Sequence, residues 1–167
     1  MFREIRRKKQ TLSQEACAAI LNQGTSGVLA LLGDEGYPYA VPLSYVYHNG
    51  KLYFHSAKSG HKLDAIRKNP KASFCVIGKD DIIPQEYTSY FRSVIAFGRI
   101  RILENDKEKR AAIEALARKY APEDSGENRA AAIDREWSPL CMLEMSIDHL
   151  SGKEAIGLVQ TRRKETL

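Results

Sequence analysis

The feature that most constrains the fold is a series of three strand-like segments, each separated from the next by a tight turn. The segments are GVLALLG (27–33), YPYAVPLSYVYH (37–48) and KLYFHSA (51–57), which are rich in aliphatic and aromatic residues. The turns are Asp34-Glu35-Gly36 and Asn49-Gly50. Asn-Gly favours a two-residue hairpin because both residues adopt positive φ readily. The sequence therefore predicts an antiparallel meander of three strands.

Two prolines, Pro38 and Pro42, fall within the middle segment. Proline has no N–H to donate to a sheet ladder, so it is found at sheet edges, at bulges or at the first residue of a strand. We therefore expect an edge, a bulge or a rim here, with irregular backbone that a ligand can contact.

Three further segments alternate in the manner of strands. They are KASFCVIG (71–78), SVIAFGRIRILE (93–104) and PLCMLEMSIDHL (139–150). Gly98 indicates a bulge or a barrel corner within the second of these. SGKEAIGL (151–158) is a candidate for one more strand, whereas DDIIPQEYTSYF (80–91) has the character of a loop despite its aromatic residues.

Four segments are expected to form helices. Thr11 and Gln14 have the spacing of a capping box at the start of 11–23. Asp106 and Ser125 are the predicted N-caps of two later helices. The four segments are TLSQEACAAILNQ (11–23), LDAIRKN (63–69), DKEKRAAIEALARKYA (106–121) and ENRAAAIDREW (127–137).

Short, mostly antiparallel strands with helices inserted between them predict an α+β fold in which the β structure dominates. Closing the sheet into a barrel would remove its exposed edges, so we expect a barrel with flanking helices. A chain of 167 residues, 43% of them hydrophobic, fits a single domain over 1–167. The basic segments 1–10 and 160–167 are expected to be flexible.

Charge and cysteine content narrow the class of protein. The net charge of +5 owes much to RRKK (6–9) and RRK (162–164), which indicates weak attraction to polyanions or to an anionic cofactor but predicts no nucleic-acid partner. Three widely spaced cysteines in apolar surroundings predict buried free thiols. No segment resembles a membrane span or a secretory signal, so a cytoplasmic location with no membrane partner is expected.

Residues 55–62, HSAKSGHK, lie between a predicted strand and a predicted helix. The first amides of a helix attract anions, and Ser56, Ser59, His61 and Lys62 would add hydroxyl and cationic donors. Gly60 would let the backbone approach a ligand closely. The cluster therefore predicts a site for a phosphate or another small oxyanion. The alternative is an ordinary polar turn in which Ser59 is only an N-cap and Lys62 is a solvated side chain.

A metal site is the less favoured interpretation of the histidines. His55 and His61, with His48 or His149, do not have the spacing of a helical HxxxH unit, and no acidic residue lies within 55–62. We therefore expect no metal.

The sequence also resembles a known family. The segments that carry the resemblance are DEGYPYAVPLSYVYHNGKLYFHSAKSGHKLDAIRKNPKASFCVIG (34–78), SVIAFGRIRIL (93–103) and DHLSGKEAI (148–156). Together they resemble the pyridoxamine 5′-phosphate oxidase-like FMN-binding split barrels, and among these the branch associated with nitroimidazole resistance. The resemblance implies a six-stranded antiparallel split β-barrel that binds FMN at the interface of a homodimer.

The resemblance also implies which residues contact FMN. Val41, Pro42, Leu43 and Ser44 would run along the flavin ring, and the phosphate would be held by His55, Ser56, Ala57, Gly60, His61 and Lys62. Tyr90, Phe91 and Ser93, together with Trp137, would approach the flavin from the partner subunit, although the segment before the fifth strand carries no strong motif. No catalytic residue is assigned.

The expected function is that of an FMN-dependent oxidoreductase that passes electrons from a reduced donor to a small acceptor, with a nitroaromatic such as a nitroimidazole as the acceptor that the resemblance suggests. Two alternatives remain open. One is a flavin-binding or flavin-sensing protein without turnover, and the other is an enzyme resembling pyridoxamine phosphate oxidase. Neither the electron donor nor the acceptor is encoded in a recognisable motif.

Overall fold

The computed structural model describes residues 1–165 as an α+β fold built on one antiparallel sheet of seven strands. The strands are β1 (Ser26–Leu32), β2 (Pro38–Ser44), β3 (Val46–His48), β4 (Lys51–Ala57), β5 (Lys71–Ile83), β6 (Thr88–Ile102) and β7 (Leu140–Glu154). Their order across the sheet is β2-β1-β5-β6-β7-β4-β3. The helices are α1 (Gln14–Gln23), α2 (His61–Lys68), α3 (Asp106–Tyr120), α4 (Gly126–Glu136) and α5 (Ile156–Glu165).

The predicted middle strand is divided at Tyr45. Residues before it pair with β1 at one edge of the sheet, and residues after it pair with β4 at the other edge. Because one residue joins the two edges, the sheet must curl until they lie side by side. The mainly β split-barrel architecture is thus confirmed, but the expected count of six strands is wrong: the sheet has seven strands and its hydrogen-bonded ladder does not close.

Tyr45 is held in place by α1, α3 and the core. Its hydroxyl donates to the carbonyl of Leu21 in the last turn of α1 at 2.8 Å, and its ring meets the edge of Phe74 at 4.8 Å between centroids. Its backbone N–H donates to the hydroxyl of Tyr120 at 3.0 Å. Burial raises the pKa of Tyr45 well above its usual value, so the hydroxyl stays protonated and keeps donating.

The core lies inside the curled sheet. Side chains at alternate positions of the strands point inward and are buried, and α1 and α2 add Cys17, Leu21, Leu63 and Ile66 to the same cluster. The largest inward-facing strand residues are Leu29, Leu52, Phe54, Phe74, Ile100, Leu143 and Met145. The thiols of Cys17 and Cys141 are buried and that of Cys75 is partly exposed, and all three are free, as predicted.

Residues 80–91 are not the loop that was expected. They form most of a two-stranded arm in which β5 and β6 continue to pair, from Lys79 opposite Arg92 to Ile83 opposite Thr88. The arm turns through Pro84–Glu86, and Tyr87 adopts a left-handed conformation with φ of 49°. The residues of this segment do not alternate between apolar and polar, because the arm extends past the core and neither face of it is buried there.

The four predicted helices form, with differences at the starts of three: α2 begins at His61 instead of Leu63, and the N-caps of α1 and α3 differ from the prediction. Ser125 caps α4 as expected, whereas Ser13 rather than Thr11 caps α1, and Asn105 rather than Asp106 caps α3. Residues 151–154 continue β7, and α5 begins at Ile156, so 151–158 is not a separate strand. The flexibility of 1–10 and 160–167 stays a prediction, because α5 continues to Glu165 and residues 166–167 lie outside the described part.

Replacing Tyr45 with phenylalanine should destabilise the protein by about 1–3 kcal/mol, because the substitution leaves the buried Leu21 carbonyl without a donor. Urea denaturation followed by circular dichroism measures the change. Tyr37 is 74% exposed, so Tyr37→Phe should stay within about 0.5 kcal/mol of the original protein. Equal stabilities for the two variants would contradict the role assigned to Tyr45.

Candidate functional site

The N-terminus of α2 carries several donors that the fold does not use. Gly60, with φ of 123°, is the N-cap, and its carbonyl accepts from the N–H groups of Leu63 and Asp64 at 2.9 and 3.2 Å. No side chain caps the helix, so Ser59 is not its N-cap. Within the described residues the amides of His61 and Lys62 have no hydrogen-bond partner. These groups are arranged as an anion-binding helix end would be.

Lys62 is half-buried beside this helix end. Burial lowers its pKa below the usual 10.5, and no carboxylate of the described chain lies within ion-pair distance of it. Keeping the ammonium charged at this position therefore costs free energy, and a nearby anion would offset that cost.

Other cations surround the same place. Ser56 lies opposite Cys141 across the β4–β7 ladder. Burial raises the pKa of the Cys141 thiol, and four cations are close enough to oppose that rise: Lys109, Arg67, Lys62 and Lys58. Asp64 partly offsets Arg67 at 3.1 Å. The region therefore has a positive potential suited to an anionic group.

His61 contributes differently from the prediction that its ring faces an anion. Its Nε2 lies 3.4 Å from Oδ2 of Asp34, and its ring stacks on Tyr39 at 4.1 Å between centroids. The same carboxylate also pairs with Lys68 at 3.0 Å, and Lys68 followed by His61 lowers the pKa of Asp34. The ring is thus held against Asp34, which leaves the backbone N–H of His61 as its free donor toward an anion.

The strand carrying Val41, Pro42, Leu43 and Ser44 is an edge strand, which confirms the prediction from its prolines. Here β2 pairs only with β1, and Pro38 is its first residue. Val41 and Leu43 pack against the core, whereas Pro42 is exposed and faces outward. The missing N–H of proline is tolerated at an edge because no neighbouring strand needs it.

A groove of about 700 Å³ lies between the outward side of β4 and the helices α3 and α4. Its strand wall consists of His55, Ser56 and Ala57, with Ser44 at the end of β2. The opposite walls are mostly apolar and are formed chiefly by Ile113, Leu116, Ala117, Tyr120, Ala132, Ile133 and Leu140. This volume is in the range of small-molecule sites.

The structure brings only part of the predicted site together. Ser44, His55, Ser56 and Ala57 line the groove. Gly60, His61 and Lys62 follow shortly after them in the chain, at the start of α2. Tyr90 and Ser93 lie on β6 and do not line the groove within one chain. The hydroxyl of Tyr90 donates to Glu86 at 2.8 Å.

The sequence analysis did not predict that α3 and α4 form walls of the groove. Tyr120 of α3 is 42% exposed and its side chain lines the groove. Lys109 is buried on α3, where its Nζ lies 3.9 Å from the centre of the Trp137 ring and donates to the Trp137 carbonyl at 3.1 Å. The sequence contained a signal for this, because a lysine on the apolar face of a predicted helix is unusual and indicates a specific partner.

Within the described chain, no three His, Cys, Asp or Glu side chains converge on a point that could hold a metal ion. No helix among those residues combines the length and apolarity needed to cross a bilayer.

Residues 13–154, which contain all seven strands and helices α1 to α4, match the family described as pyridoxamine 5′-phosphate oxidase. The chain belongs to the pyridoxamine 5′-phosphate oxidase family. The resemblance noted from the sequence is thereby confirmed at the level of the family.

One relative matches this chain over part of its length. An uncharacterised protein of Rhizobium meliloti is 31% identical over 96 residues, which cover 56% of this chain and 57% of that protein. This chain thus spans little more than half of that relative's length.

Solved structures support the same fold. A FAD-binding protein from Mesorhizobium loti is 28% identical with a TM-score of 0.64, and the match covers 87% of this chain and 97% of that one. A candidate 5-nitroimidazole antibiotic resistance protein from Bacteroides thetaiotaomicron is 22% identical with a TM-score of 0.72, covering 86% of each chain. The second likeness shows the fold alone.

Replacing Lys62 with methionine should stabilise the ligand-free protein by about 0.5–1 kcal/mol, because methionine keeps the unbranched side chain and removes a charge that burial penalises. Urea denaturation of ligand-free protein measures the change. Lys68 is exposed and paired with Asp34, so Lys68→Met should change stability by no more than about 0.5 kcal/mol. A clear loss of stability in the Lys62 variant would show that its ammonium is already paired.

Proposed function

We propose that this chain is an FMN-dependent oxidoreductase. The observation that carries the proposal is the set of unused donors and unpaired cations at the start of α2, next to a groove of small-molecule size. FMN has a phosphate that suits the donors and cations, and a flat, largely apolar ring that suits the groove. The family match and the FAD-binding relative from Mesorhizobium loti support a flavin as the cofactor.

The donor set suits a phosphate monoester. Such a group carries close to two negative charges at neutral pH and has three strong acceptor oxygens. The amides of His61 and Lys62 and the hydroxyls of Ser56 and Ser59 have no hydrogen-bond partner in the described chain, and the ammonium of Lys62 lies beside them. The bound phosphate would return the pKa of Lys62 toward its usual value, since an adjacent anion favours the charged form.

The ring would lie along the outward side of β2 toward Ser44 and His55. An edge strand offers backbone groups that no neighbouring strand occupies, and Pro42 keeps this edge free of another strand. When bound, the flavin would supply the electron-transfer chemistry, and the residues of the chain would bind and orient it.

The proposed reaction moves electrons from a reduced donor through the flavin to a small acceptor. A nitroaromatic such as a nitroimidazole is the proposed acceptor, on the strength of the sequence resemblance to the nitroimidazole-resistance branch.

We also propose a homodimer with the flavin at its interface. An apolar row crosses the outward side of the sheet, where an antiparallel sheet facing water would be polar. Val28, Cys75 and Ile95 lie directly abreast on β1, β5 and β6, and Ile77 adjoins them. Val28, Ile95 and Ile77 are 40%, 36% and 66% exposed. An apolar surface of this kind is typical of a subunit interface.

The β5–β6 arm is the element best suited to reach across such an interface. Its turn residue Tyr87 is 99% exposed, and Ile82 is exposed as well. Tyr90 and Ser93, at the base of the arm and on β6, would then meet the flavin of the partner subunit, as the sequence resemblance implies. Their absence from the groove of their own chain accords with that role.

Purified protein reconstituted with FMN should remain yellow after desalting, and Lys62→Met should weaken FMN binding by about 1.5–3 kcal/mol, the value of a hydrogen bond to a charged group. Quenching of flavin fluorescence on binding measures the affinity. Lys68→Met removes a cation of the same helix that is already paired with Asp34, and it should bind FMN as the original protein does.

Protein that stays colourless with both FMN and FAD would refute the proposal, and retention of FAD alone would correct the cofactor. A yellow protein that NADH, NADPH and dithionite-reduced mediators cannot turn over with any nitroaromatic would indicate a flavin-binding protein without enzymatic activity.

Replacing Ile77 with lysine should convert the dimer into monomers, because a charge would be desolvated in the proposed interface, next to the apolar row. Sedimentation velocity of the FMN-loaded protein measures the oligomeric state. Ala111 is exposed on α3, so Ala111→Lys should leave the dimer intact. A native protein that is monomeric at micromolar concentration, or an Ile77 variant that stays dimeric, would contradict the proposed interface.

A further inference from the structure

We infer that one end of the molecule, formed by residues 1–9 and by α5, binds the surface of an anionic lipid bilayer. This basic end takes no part in the proposed flavin site, so the inference is independent of the proposed function. The contact would be peripheral, with the protein lying on the lipid headgroups, and the lack of a spanning segment in the sequence does not bear on it.

Charge is distributed unevenly along the chain. Residues 1–9 hold five Lys or Arg and one acid, and the ten residues of α5 hold three and one. The rest of the sequence holds 18 Lys or Arg and 19 Asp or Glu, so it is close to neutral. The entire positive net charge of the protein therefore comes from two short segments.

The fold brings these two segments together. Helix α5 packs against the 3₁₀ turn Lys8–Gln10. The buried side-chain amide of Gln10 donates to the carbonyl of Glu154, just before α5, at 2.8 Å, and Thr11 pairs with Lys153 beside this contact. Cations more than 150 positions apart in the sequence therefore lie at one end of the molecule.

The cations of residues 1–9 are available to a ligand. Lys8 pairs with the exposed Glu4 at 3.0 Å. The other four are exposed and have no ion-pair partner within the part of the chain that the structure describes: Arg3, Arg6, Arg7 and Lys9. Like charges crowded on one surface repel each other, and a surface dense in negative charge removes that repulsion. Each Lys or Arg held near an anionic leaflet strengthens membrane binding about fivefold.

Apolar side chains at the basic end favour a lipid surface over a nucleic acid. Met1 is exposed, and Phe2 and Ile156 are 45% and 48% exposed. An interfacial segment buries such side chains at the acyl boundary while its cations meet the headgroups. A nucleic-acid binder would instead use free aromatic faces to stack bases. The Phe2 ring is stacked on His149 at 4.7 Å between centroids, so one face of each ring is already covered.

Sedimentation of the full-length protein with vesicles tests the inference. The vesicles contain either phosphatidylcholine alone or phosphatidylcholine mixed with the anionic lipid phosphatidylglycerol. At physiological ionic strength the protein should bind the mixed vesicles and not the neutral ones. Raising the salt to about 1 M should release most of it, because screening shortens the reach of the attraction.

Two double variants locate the surface. Arg6→Gln with Arg7→Gln should weaken binding to the mixed vesicles about 25-fold, because each lost cation costs about fivefold. Arg162→Gln with Arg163→Gln should weaken it as well, because α5 packs against the turn Lys8–Gln10. Circular dichroism checks the fold of each, and a folding defect in one double variant leaves the other as the test.

A matched control removes the same charge elsewhere. Lys107 and Arg135 are exposed on α3 and α4, so Lys107→Gln with Arg135→Gln should leave binding within about twofold of the native protein. An equal loss of binding in this control would overturn the location of the surface. A loss in the Arg6 and Arg7 variant alone would overturn the joint surface.

The remaining outcomes also decide the matter. Native protein that binds neither kind of vesicle, or both equally, would overturn the inference. A single-stranded oligonucleotide is the second probe, followed by fluorescence anisotropy in the same salt. If it bound as tightly as the mixed vesicles and were released by the same substitutions, the surface would belong to nucleic acid and not to lipid. Failure of the native protein to hold a flavin would refute the proposed function and leave this inference standing.

Discussion

The structure depends on a single connection, the residue Tyr45 between β2 and β3. A strand that pairs with one edge of a sheet and then, one residue later, with the other edge forces the sheet to curl. The buried Tyr45 side chain makes this geometry stable, because its hydroxyl satisfies the end of α1 while its backbone is held by Tyr120 of α3. The hydroxyl of Tyr120 also donates to the Thr25 carbonyl, so the three elements meet at one point. Ser44, at the rim of the groove, is fixed by the same contacts.

The start of α2 differs from the core because its charged groups are not arranged for stability. A protein that optimised only its stability would not gather cations without matching acids, nor half-bury a lysine among them. Glu144 is a contrasting case, because it is buried beside Arg101 at 2.8 Å and Lys51 at 3.1 Å and accepts from the Tyr53 hydroxyl. The contrast between Glu144 and Lys62 within one small protein is the strongest physical reason to regard the second as part of a binding site.

Much of the fold follows from local sequence. The Asn-Gly turn takes the positive φ values expected, 49° at Asn49 and 76° at Gly50, and Ser125 caps α4 as its side chain predicts. The grouping of Ser56, Gly60, His61 and Lys62 around the start of α2 could also be predicted, because these residues are neighbours along the chain; that they bind a phosphate stays a prediction. The role of Tyr45 could not be predicted in this way. Its burial depends on α1 and Phe74, which are distant in sequence, and the alternating pattern of a strand carries no information about them. The groove could not be predicted for the same reason, because its walls come from β4 and from helical residues more than fifty positions later in the chain.

The pairing of β4 with β7 has a consequence for the way the protein folds. Tyr53 lies opposite Glu144, so this ladder closes a loop of roughly ninety residues, and such closures are entropically costly and come late. Both the start of α2 and the strand wall of the groove are extensions of β4. A chain that has formed the β1–β5–β6 part of the sheet but not this last ladder therefore contains most of the core but only part of the site proposed for the cofactor. A flavin would bind only molecules that have finished folding, and would lower the population of partly assembled ones by mass action.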